Sequence, residues 1–373
     1  MANRRWNWQS PDWPHFTYDT GNLGDLERQF IHQTGYLTGS IKHLPDEDQA
    51  IFTVELMSDE AYKTSEIEGQ YLDRDSLQSS IRKNLGLASP NIRATPAEAG
   101  MAEMMVDLFE NYSNDLSDQQ LFNWQAMICS GRRDLDAIGG YRSHDDPMQI
   151  ISNRLDLAQP RVHFEAPASS VLGMEMTRFL TWYKESASYQ SDALLPLARA
   201  GIAHFYFLCI HPFEDGNGRI ARAISEKALS QGVGRAALIT LSKTIEANKN
   251  DYYAALEAHN FTLKLDDWLL YFGRTVLEAQ AESLIKVEFL IEKTRFYDRF
   301  ALQMNKRQAK VVQRLFEAGP EGFEGGLRAK NYQTIAKTPS ATATRDLTDL
   351  VRKGILHRSG ERKGTRYWLE MRT

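Results

Sequence analysis

One junction near the middle of the chain limits the fold more than any other feature of the sequence. The stretch ALLPLARAGIAHFYFLCI, which ends just before His211, carries apolar side chains at helical steps, namely Leu194, Leu197, Ile202, Phe205 and Leu208. The next residues, HPFEDGNGRIAR, form a short polar turn that contains two glycines. A second helix must then begin inside NGRIARAISEKALSQG and end at Gly232. The sequence therefore predicts two helices joined by a glycine-rich turn.

This turn has the parts of a phosphate-binding site. A glycine-rich turn that runs into a helix leaves backbone N–H groups pointing outward at the positive end of the helix dipole, where phosphate binds. Gly216 and Gly218 let the backbone approach a ligand closely. Arg219 and Arg222 lie one helical turn apart, so both side chains can reach one polyphosphate.

Two further residues of the turn supply chemistry. Asp215 is placed to hold Mg²⁺ against the same phosphates, and His211 can accept a proton from an incoming hydroxyl. Together these residues indicate transfer from a nucleotide polyphosphate to a hydroxyl. The structural alternative is a polar connection between helices that contains a buried histidine.

Other kinds of site fit the spacing less well. An EF-hand starting at Asp215 would need an acidic or amide residue and then a glycine, where Arg219 and Ile220 stand. Residues 216–221 match G-x-G-x-x-A, but a dinucleotide loop must follow a strand, and no P-loop pattern occurs. The stretch HDD at 144–146 is similar to the His-Asp pair of metal phosphohydrolases, yet it lies in a predicted turn rather than on a helix.

The complete string resembles the signature of the Fic family. Residues 211–222 match the family motif H-x-F-x-[DE]-G-N-G-R-x-x-R at every fixed position. Upstream, TSEIEG resembles the [ST]-x-x-x-E-[GN] motif of Fic proteins that inhibit themselves, with Thr64 and Glu68 one helical turn apart. The leader WNWQSPDWPHFTYD, the GGYR turn with its hairpin, and YYAALEAHN are also similar to Fic segments. The resemblance spans about Trp6 to Leu277.

The resemblance implies a role for each matched residue of the nucleotide site. It implies that His211 is the general base, that Asp215 holds Mg²⁺, and that Asn217 and the backbone near Gly216 and Gly218 bind the α- and β-phosphates. It assigns Arg219 to the β-phosphate and Arg222 to the γ-phosphate. Phe213 and Glu214 belong to the ATP-binding loop, with Phe213 expected to pack beneath it. Tyr253 and Asn260 are implied near the adenine, although the pair Tyr252–Tyr253 also fits a helix face packed on the core.

Fic proteins usually transfer AMP from ATP to a Ser, Thr or Tyr side chain of a target protein. The sequence accordingly predicts a Mg²⁺-dependent protein adenylyltransferase that is restrained by Glu68, whose implied partner is Arg222. An ordinary solvent-facing residue is the alternative for Glu68. Self-modification, removal of AMP and a homodimer are left open.

The last 69 residues, from Asn305 onward, have a different character. A helix, KRQAKVVQRLFEA, is followed by helices in YQTIAKT and SATATRDLTDLVRKG and by two strands in ILHRSGERKGTRYWLEM, which is the order of a winged helix. This tail contains 15 Lys and Arg against 7 Asp and Glu, a net +8, whereas the rest of the chain carries −13. A basic tail on an acidic body suggests an anionic partner such as DNA, with protein contact or dimerisation as alternatives.

The predicted fold class is mostly α, with a Fic helical core that carries a β-hairpin flap. We expect an N-terminal helical region with the inhibitory helix over 1–90, a Fic domain over 91–280, a linking helix over 281–304 and a winged-helix domain over 305–373. The aromatic leader is expected to pack against a following helix. Two cysteines without ligand spacing and the lack of a signal peptide or membrane span favour the cytoplasm. The alternative function is a DNA-binding regulator in which the Fic domain is secondary.

Overall fold

A computed structural model describes residues 5–151, 161–187 and 193–371, and α-helices dominate it. The helices are α1 (Thr20–Lys42), α2 (Asp46–Ile67), α3 (Arg74–Asn84), α4 (Pro96–Glu110), α5 (Asp118–Ile128), α6 (Leu172–Glu185), α7 (Pro196–Ile210), α8 (Asn217–Val233), α9 (Leu241–Ala247), α10 (Lys249–His259), α11 (Asp266–Phe300), α12 (Lys306–Phe316), α13 (Ala329–Ala336) and α14 (Ser340–Arg352). The described strands are β1 (Gln149–Ile151), β2 (Val162–Glu165), β3 (Leu356–Ser359) and β4 (Arg366–Leu369), which form two antiparallel hairpins. The mostly helical fold class is confirmed.

The chain divides into two compact units. One contains Met1–Tyr36 and Ile51–Ser283, and the other contains Leu37–Ala50 and Leu284–Thr373. Among the described residues, no helix is long and apolar enough to cross a membrane. The tip of the first predicted hairpin, residues 152–160, lies outside the described part of the chain.

Helix α7 lies at the centre of the first unit. Pro196 occupies its first turn, where a missing N–H costs nothing, and 14 of its 15 residues are buried. A helix that is apolar on all sides belongs in a core. It packs along α8, and the six-residue turn 211–216 connects the two. Helix α8 continues one residue beyond the predicted end, because Gly234 rather than Gly232 takes the left-handed C-cap conformation, with φ 70°.

The end of α2 brings a carboxylate towards this turn. Helix α2 ends at Ile67, and Gly69 adopts a positive φ of 77° immediately after it. Such a residue ends a helix cleanly, because only glycine adopts this conformation without strain. Glu68 therefore stands at a helix terminus and not in the middle of a helix face.

The second unit has its own core. Phe296 and Phe300, from the predicted linking helix, pack with Val312, Phe316 and Leu347 of the predicted tail domain. Helices α12, α13 and α14 are followed by the β3–β4 hairpin, and a bridge between Leu327 and Tyr367 adds a third short strand-like segment. This order of elements is the one that the sequence predicts for residues 305–373.

Candidate active site

His211 is the first residue of the turn between α7 and α8. It ends α7 in the left-handed conformation, with φ 50° and ψ 59°, and its N–H donates to the Phe207 carbonyl at 3.0 Å. Its Nδ1 lies 3.3 Å from the Leu208 carbonyl, which can only accept, so the proton belongs on Nδ1 and Nε2 keeps its lone pair. Burial lowers the pKa of His211 to about 4, although the Leu208 hydrogen bond opposes the change. The ring is therefore neutral at pH 7.

The turn is fixed by the buried Phe213 ring and by the Asn217 side chain. The Phe213 ring is fully buried and packs near Phe207 and Tyr141. The Asn217 side chain accepts from the Phe213 N–H at 3.0 Å and donates to the Phe213 carbonyl at 2.7 Å. These two bonds close the turn with the Asn217 amide, so the backbone N–H groups at the start of α8 are the groups left to face an anion. The Glu214 carboxylate accepts from the Asp136 N–H at 2.9 Å, which ties the turn to the loop after α5.

Two buried arginines lie beside these N–H groups. Arg219 donates to Gln70 Oε1 at 2.7 Å, and Arg222 donates through Nε to Thr64 Oγ1 at 2.7 Å. Nε of Arg219 and Nη1 of Arg222 are buried and have no hydrogen-bond partner among the described residues. A buried donor without a partner costs about 1–3 kcal/mol, and an acceptor supplied by a ligand would remove that cost. A polyphosphate is such an acceptor.

Glu68 occupies part of the same space. Its carboxylate accepts from Arg222 Nη2 at 2.7 Å, and the same nitrogen donates to the Thr64 carbonyl at 2.9 Å. The Glu68 carboxylate also lies directly over Gly218, where a Cβ would collide with it. Glu68 thus covers the first turn of α8 and takes one donor of a buried arginine.

Asp215 lies at the open side of the turn. Its carboxylate accepts from the Gly216 N–H at 2.7 Å and from Arg132 Nη1 at 2.6 Å, with Arg219 Nη2 at 3.3 Å. One partly exposed carboxylate beside a phosphate site is the usual protein contribution to Mg²⁺, which completes its shell with phosphates and water. The residues therefore fit this ion, provided that Arg132 gives up its bond. Among the described residues, no group of three or more His, Cys, Asp or Glu side chains lies close enough together to hold a metal ion.

A cavity of about 660 Å³ opens beside the turn. Its walls include Glu68, His211, Gly218, Tyr253 and Asn260. The Asn260 side chain is buried and donates to the His163 carbonyl at 2.9 Å, whereas Tyr253 is 43% exposed. Tyr252 takes the core position, where its hydroxyl meets His204 Nε2 at 2.8 Å. One cavity therefore joins the predicted base, the phosphate turn and the predicted adenine residues.

Three residues near the turn have no role in the prediction from the sequence. Gln70 accepts a hydrogen bond from Arg219, and Arg132 donates one to Asp215. Arg142, from the GGYR turn, donates through Nε to the His211 carbonyl at 2.9 Å. Gln70 directly follows TSEIEG and Arg142 belongs to the GGYR turn, so these two had a local signal, whereas Arg132 had none. In the HDD stretch, His144 Nδ1 meets the backbone carbonyl of Asp146 at 2.8 Å, an ordinary turn contact.

Comparison with known families gives two matches. Residues 6–87 match a domain of unknown function, DUF4172, and residues 115–229 match the Fic/DOC family. Among curated proteins, the chain is 24% identical over 200 residues to protein adenylyltransferase fic-1 of Caenorhabditis elegans, which covers 53% of this chain and 36% of that protein. It is 35% identical over 86 residues to protein adenylyltransferase Fic of Drosophila mojavensis, covering 23% of this chain and 16% of that protein. The chain thus spans about a third or less of the length of these relatives.

Two solved structures share the fold. A Fic family protein from Desulfovibrio desulfuricans matches with a TM-score of 0.53 and 18% identity, over 94% of this chain and 96% of that one. A Fic domain containing signaling protein from Bacteroides thetaiotaomicron matches with a TM-score of 0.51 and 20% identity, over 73% of this chain and 96% of that one. At such identities the likeness concerns the fold alone.

Proposed function

From the match of residues 115–229 to the Fic/DOC family, we propose that the protein transfers AMP from ATP to a hydroxyl side chain of a target protein. The observation that carries the proposal is the composition of one cavity. The neutral His211 lines it together with Gly218, and Arg219 and Arg222, which follow Gly218 on α8, are buried and each keep one side-chain donor, Nε or Nη1, without a partner among the described residues. The curated relatives are named protein adenylyltransferases, which supports the same activity.

The proposed reaction uses the chain's own groups in defined roles. Nε2 of His211 accepts the proton of a Ser, Thr or Tyr hydroxyl as its oxygen attacks the α-phosphorus. The bond between the α-phosphorus and the bridging oxygen breaks, and pyrophosphate leaves with the electron pair. The N–H groups at the start of α8, together with Arg219 and Arg222, hold the charge that develops on the pyrophosphate.

Asp215 would hold Mg²⁺ in this reaction. When bound, the ion would neutralise part of the negative charge on the phosphates. Arg132 now bonds to the Asp215 carboxylate at 2.6 Å, so binding of the ion requires that this exposed ion pair open. Exposed pairs contribute at most about 1 kcal/mol, which a divalent ion exceeds easily.

Glu68 is proposed to restrain the enzyme. It takes Nη2 of Arg222 and covers Gly218, which are the groups that the end of the triphosphate would use. ATP bound without them would place its α-phosphate badly, and an error of about 1 Å can cost roughly a hundredfold in rate. Fic proteins with an inhibitory Glu in some cases also remove AMP, and we include this activity in the proposal.

Labelling with [α-³²P]ATP in a cell lysate tests the transferase and the brake together. Glu68→Gly should raise labelling of targets, and of the protein itself if it is its own substrate. Glu66→Gly is the matched control, because Glu66 lies in the last turn of α2, two residues before Glu68, but pairs with Lys63 at 2.5 Å. Equal labelling of the two variants would remove the brake. Absence of all labelling with folded Glu68→Gly would remove the transferase.

We also propose that the second unit binds duplex DNA, because the face of α14 favours it. Thr344, Arg345 and Thr348 are exposed on this helix. Its two acidic residues are held by other groups, since Asp346 accepts from Arg307 Nε at 2.9 Å and Asp349 accepts from Gln308 Nε2 at 3.0 Å. The exposed face is therefore free of uncompensated acid and suited to phosphate contact.

Both cysteines are buried free thiols, which supports the expected cytoplasmic location.

A further inference from the structure

The leader contacts the following helix α7 and the end of α10, in line with the expected packing on a following helix, and it also reaches β2. The backbone N–H of Asn7 donates to the Asn260 carbonyl at 2.8 Å, and its side chain, which is 2% exposed, donates to Cys209 Sγ at 3.1 Å. The indole N–H of Trp8 donates to the Glu165 carbonyl at 2.6 Å, at the end of β2. Three consecutive residues, Trp6–Trp8, thereby contact α7, β2 and the end of α10.

The Trp6 ring completes this arrangement. It stacks on Phe261 with centroids 4.7 Å apart and meets Phe164 of β2 edge to face at 5.4 Å. Phe164, Cys209 and Asn260 all line the 660 Å³ cavity, and Cys209 lies two residues before His211. The leader therefore does not line the cavity itself, but it contacts three residues that do, namely Phe164, Cys209 and Asn260.

The β2 strand needs such support. Within the described residues it pairs only with β1, over three positions, and the register shifts between Ile150 and Ile151. A two-stranded hairpin of this length is marginal in water unless something packs against it. Trp6 and Trp8 supply that packing through one aromatic contact and one hydrogen bond.

We propose that Trp6–Trp8 is a positioning segment of the nucleotide cavity, which fixes the distance between β2 and the α10 end against which the base of ATP lies. This inference rests on the proposed function, since it takes the cavity to be the ATP site. The segment does not touch the reacting atoms. It acts through Phe164, Asn260 and Cys209, as supporting residues commonly act on a binding site.

A purely structural role would predict a different result, and the leader contains the control. Trp13 is buried, and its indole N–H donates at 2.8 Å to Glu175 Oε2 on α6, none of whose residues lines the cavity, whereas the Trp8 acceptor Glu165 directly follows the lining residue Phe164. Trp8→Phe and Trp13→Phe each remove one indole hydrogen bond while keeping an aromatic ring. The two variants thus differ mainly in whether the lost bond leads to the cavity.

The experiment measures ATP binding by equilibrium dialysis, together with KM for ATP, kcat and the melting temperature, all in the Glu68→Gly background. Trp8→Phe should raise the Kd and KM for ATP about fivefold, the loss expected for one hydrogen bond, with kcat little changed. Trp13→Phe also loses one hydrogen bond, so it should lower the melting temperature about as much as Trp8→Phe does, but it should leave the Kd for ATP unchanged. Equal Kd changes in both variants, or none in Trp8→Phe, would overturn the proposal.

A second variant guards against misfolding of the first. Asn7→Ala removes the side-chain bonds to Cys209 Sγ and to the His259 carbonyl and the bond accepted from the Trp8 N–H. It keeps the backbone bond to Asn260, and it should also weaken ATP binding. Hydrogen exchange of residues 162–165 should be faster in Trp8→Phe and unchanged in Trp13→Phe. If the Glu68→Gly parent itself does not bind ATP, the proposed function fails. If the parent binds and the leader variants bind equally well, only the positioning role fails.

Discussion

The chemistry proposed for this site depends on the state of one imidazole ring. Leu208 orients the His211 ring through its carbonyl, and Arg142 holds the His211 backbone carbonyl from the other side. The left-handed backbone at this position is uncommon for a residue with a side chain. A strained residue that is fixed by neighbours on both sides is typical of a catalytic position.

Replacement of His211 by Ala should separate binding from chemistry. The ring is not one of the phosphate donors, so ATP affinity should change little. Loss of a general base typically costs 10²–10⁴-fold in rate. Single-turnover labelling with Glu68→Gly/His211→Ala, with ATP binding measured in parallel, checks this. Near-parental labelling by the double variant would exclude His211 as the base.

The pH dependence of the reaction should reflect the lowered pKa of His211. The neutral form is the base, and the folded pKa is about 4, below the ordinary value near 6.5. Activity of Glu68→Gly should therefore stay level from pH 8 down to about 5.5 rather than halve near pH 6.5. The unfolded chain binds the proton more readily, so this residue's contribution to stability is complete above pH 6.5 and declines towards pH 4. A kcat/KM profile with an acid limb near 6.5 would contradict the assignment.

At the scale of elements, local signals were predictable and distant ones were not. The start of α4 follows from Thr95 and Glu98, whose reciprocal bonds form a capping box visible in the sequence. The phosphate turn was equally visible, because its residues lie within 12 positions. The sequence predicts that the leader packs on a following helix but not on which one, and it does not predict the bond from Trp8 to a carbonyl 157 residues away. The pair Arg132–Asp215 is likewise formed by tertiary packing, and no local sequence pattern predicts it.

Glu98 joins two helix starts, which makes it a test of element-level stability. Its carboxylate accepts from the backbone N–H groups of Thr95 and Asp73 and from Ser76 Oγ. Glu98→Ala leaves these donors buried or half-buried without a partner and should cost about 3 kcal/mol of unfolding free energy. Urea denaturation measures it, with the exposed Glu103→Ala on the same helix as control. A loss no larger than that of the control would show that the three bonds are replaced by water.

At the scale of the whole molecule, the separation of charge is the relevant feature. Residues 305–373 carry +8 and the remainder −13. A tail cut at 305 would lose Phe296 and Phe300 from its core, so the complete chain is the correct reagent. Affinity for duplex DNA should fall steeply as salt rises, because each neutralised phosphate releases counterions.

Arg345→Ala should weaken DNA binding and reduce the magnitude of the log–log salt slope by about 1. Arg314→Ala, an equal change of charge on α12 beside Glu317, is the control and should leave the slope unchanged. Fluorescence anisotropy at several salt concentrations gives both slopes. Identical slopes in the two variants, or no binding at low salt, would favour a protein partner for this unit.

The unpartnered donors of Arg219 and Arg222 have a thermodynamic consequence for the protein without ligand. Two buried N–H groups lacking acceptors within the described structure destabilise the fold that contains them. Any small anion that satisfies them is linked to folding, and at a hundred times its Kd it adds about 2.7 kcal/mol. Pyrophosphate should therefore raise the melting temperature even when no reaction takes place. Glu68→Gly, which frees another Arg222 donor, should respond at lower concentrations, so that heat stability alone reports whether the anion site is open.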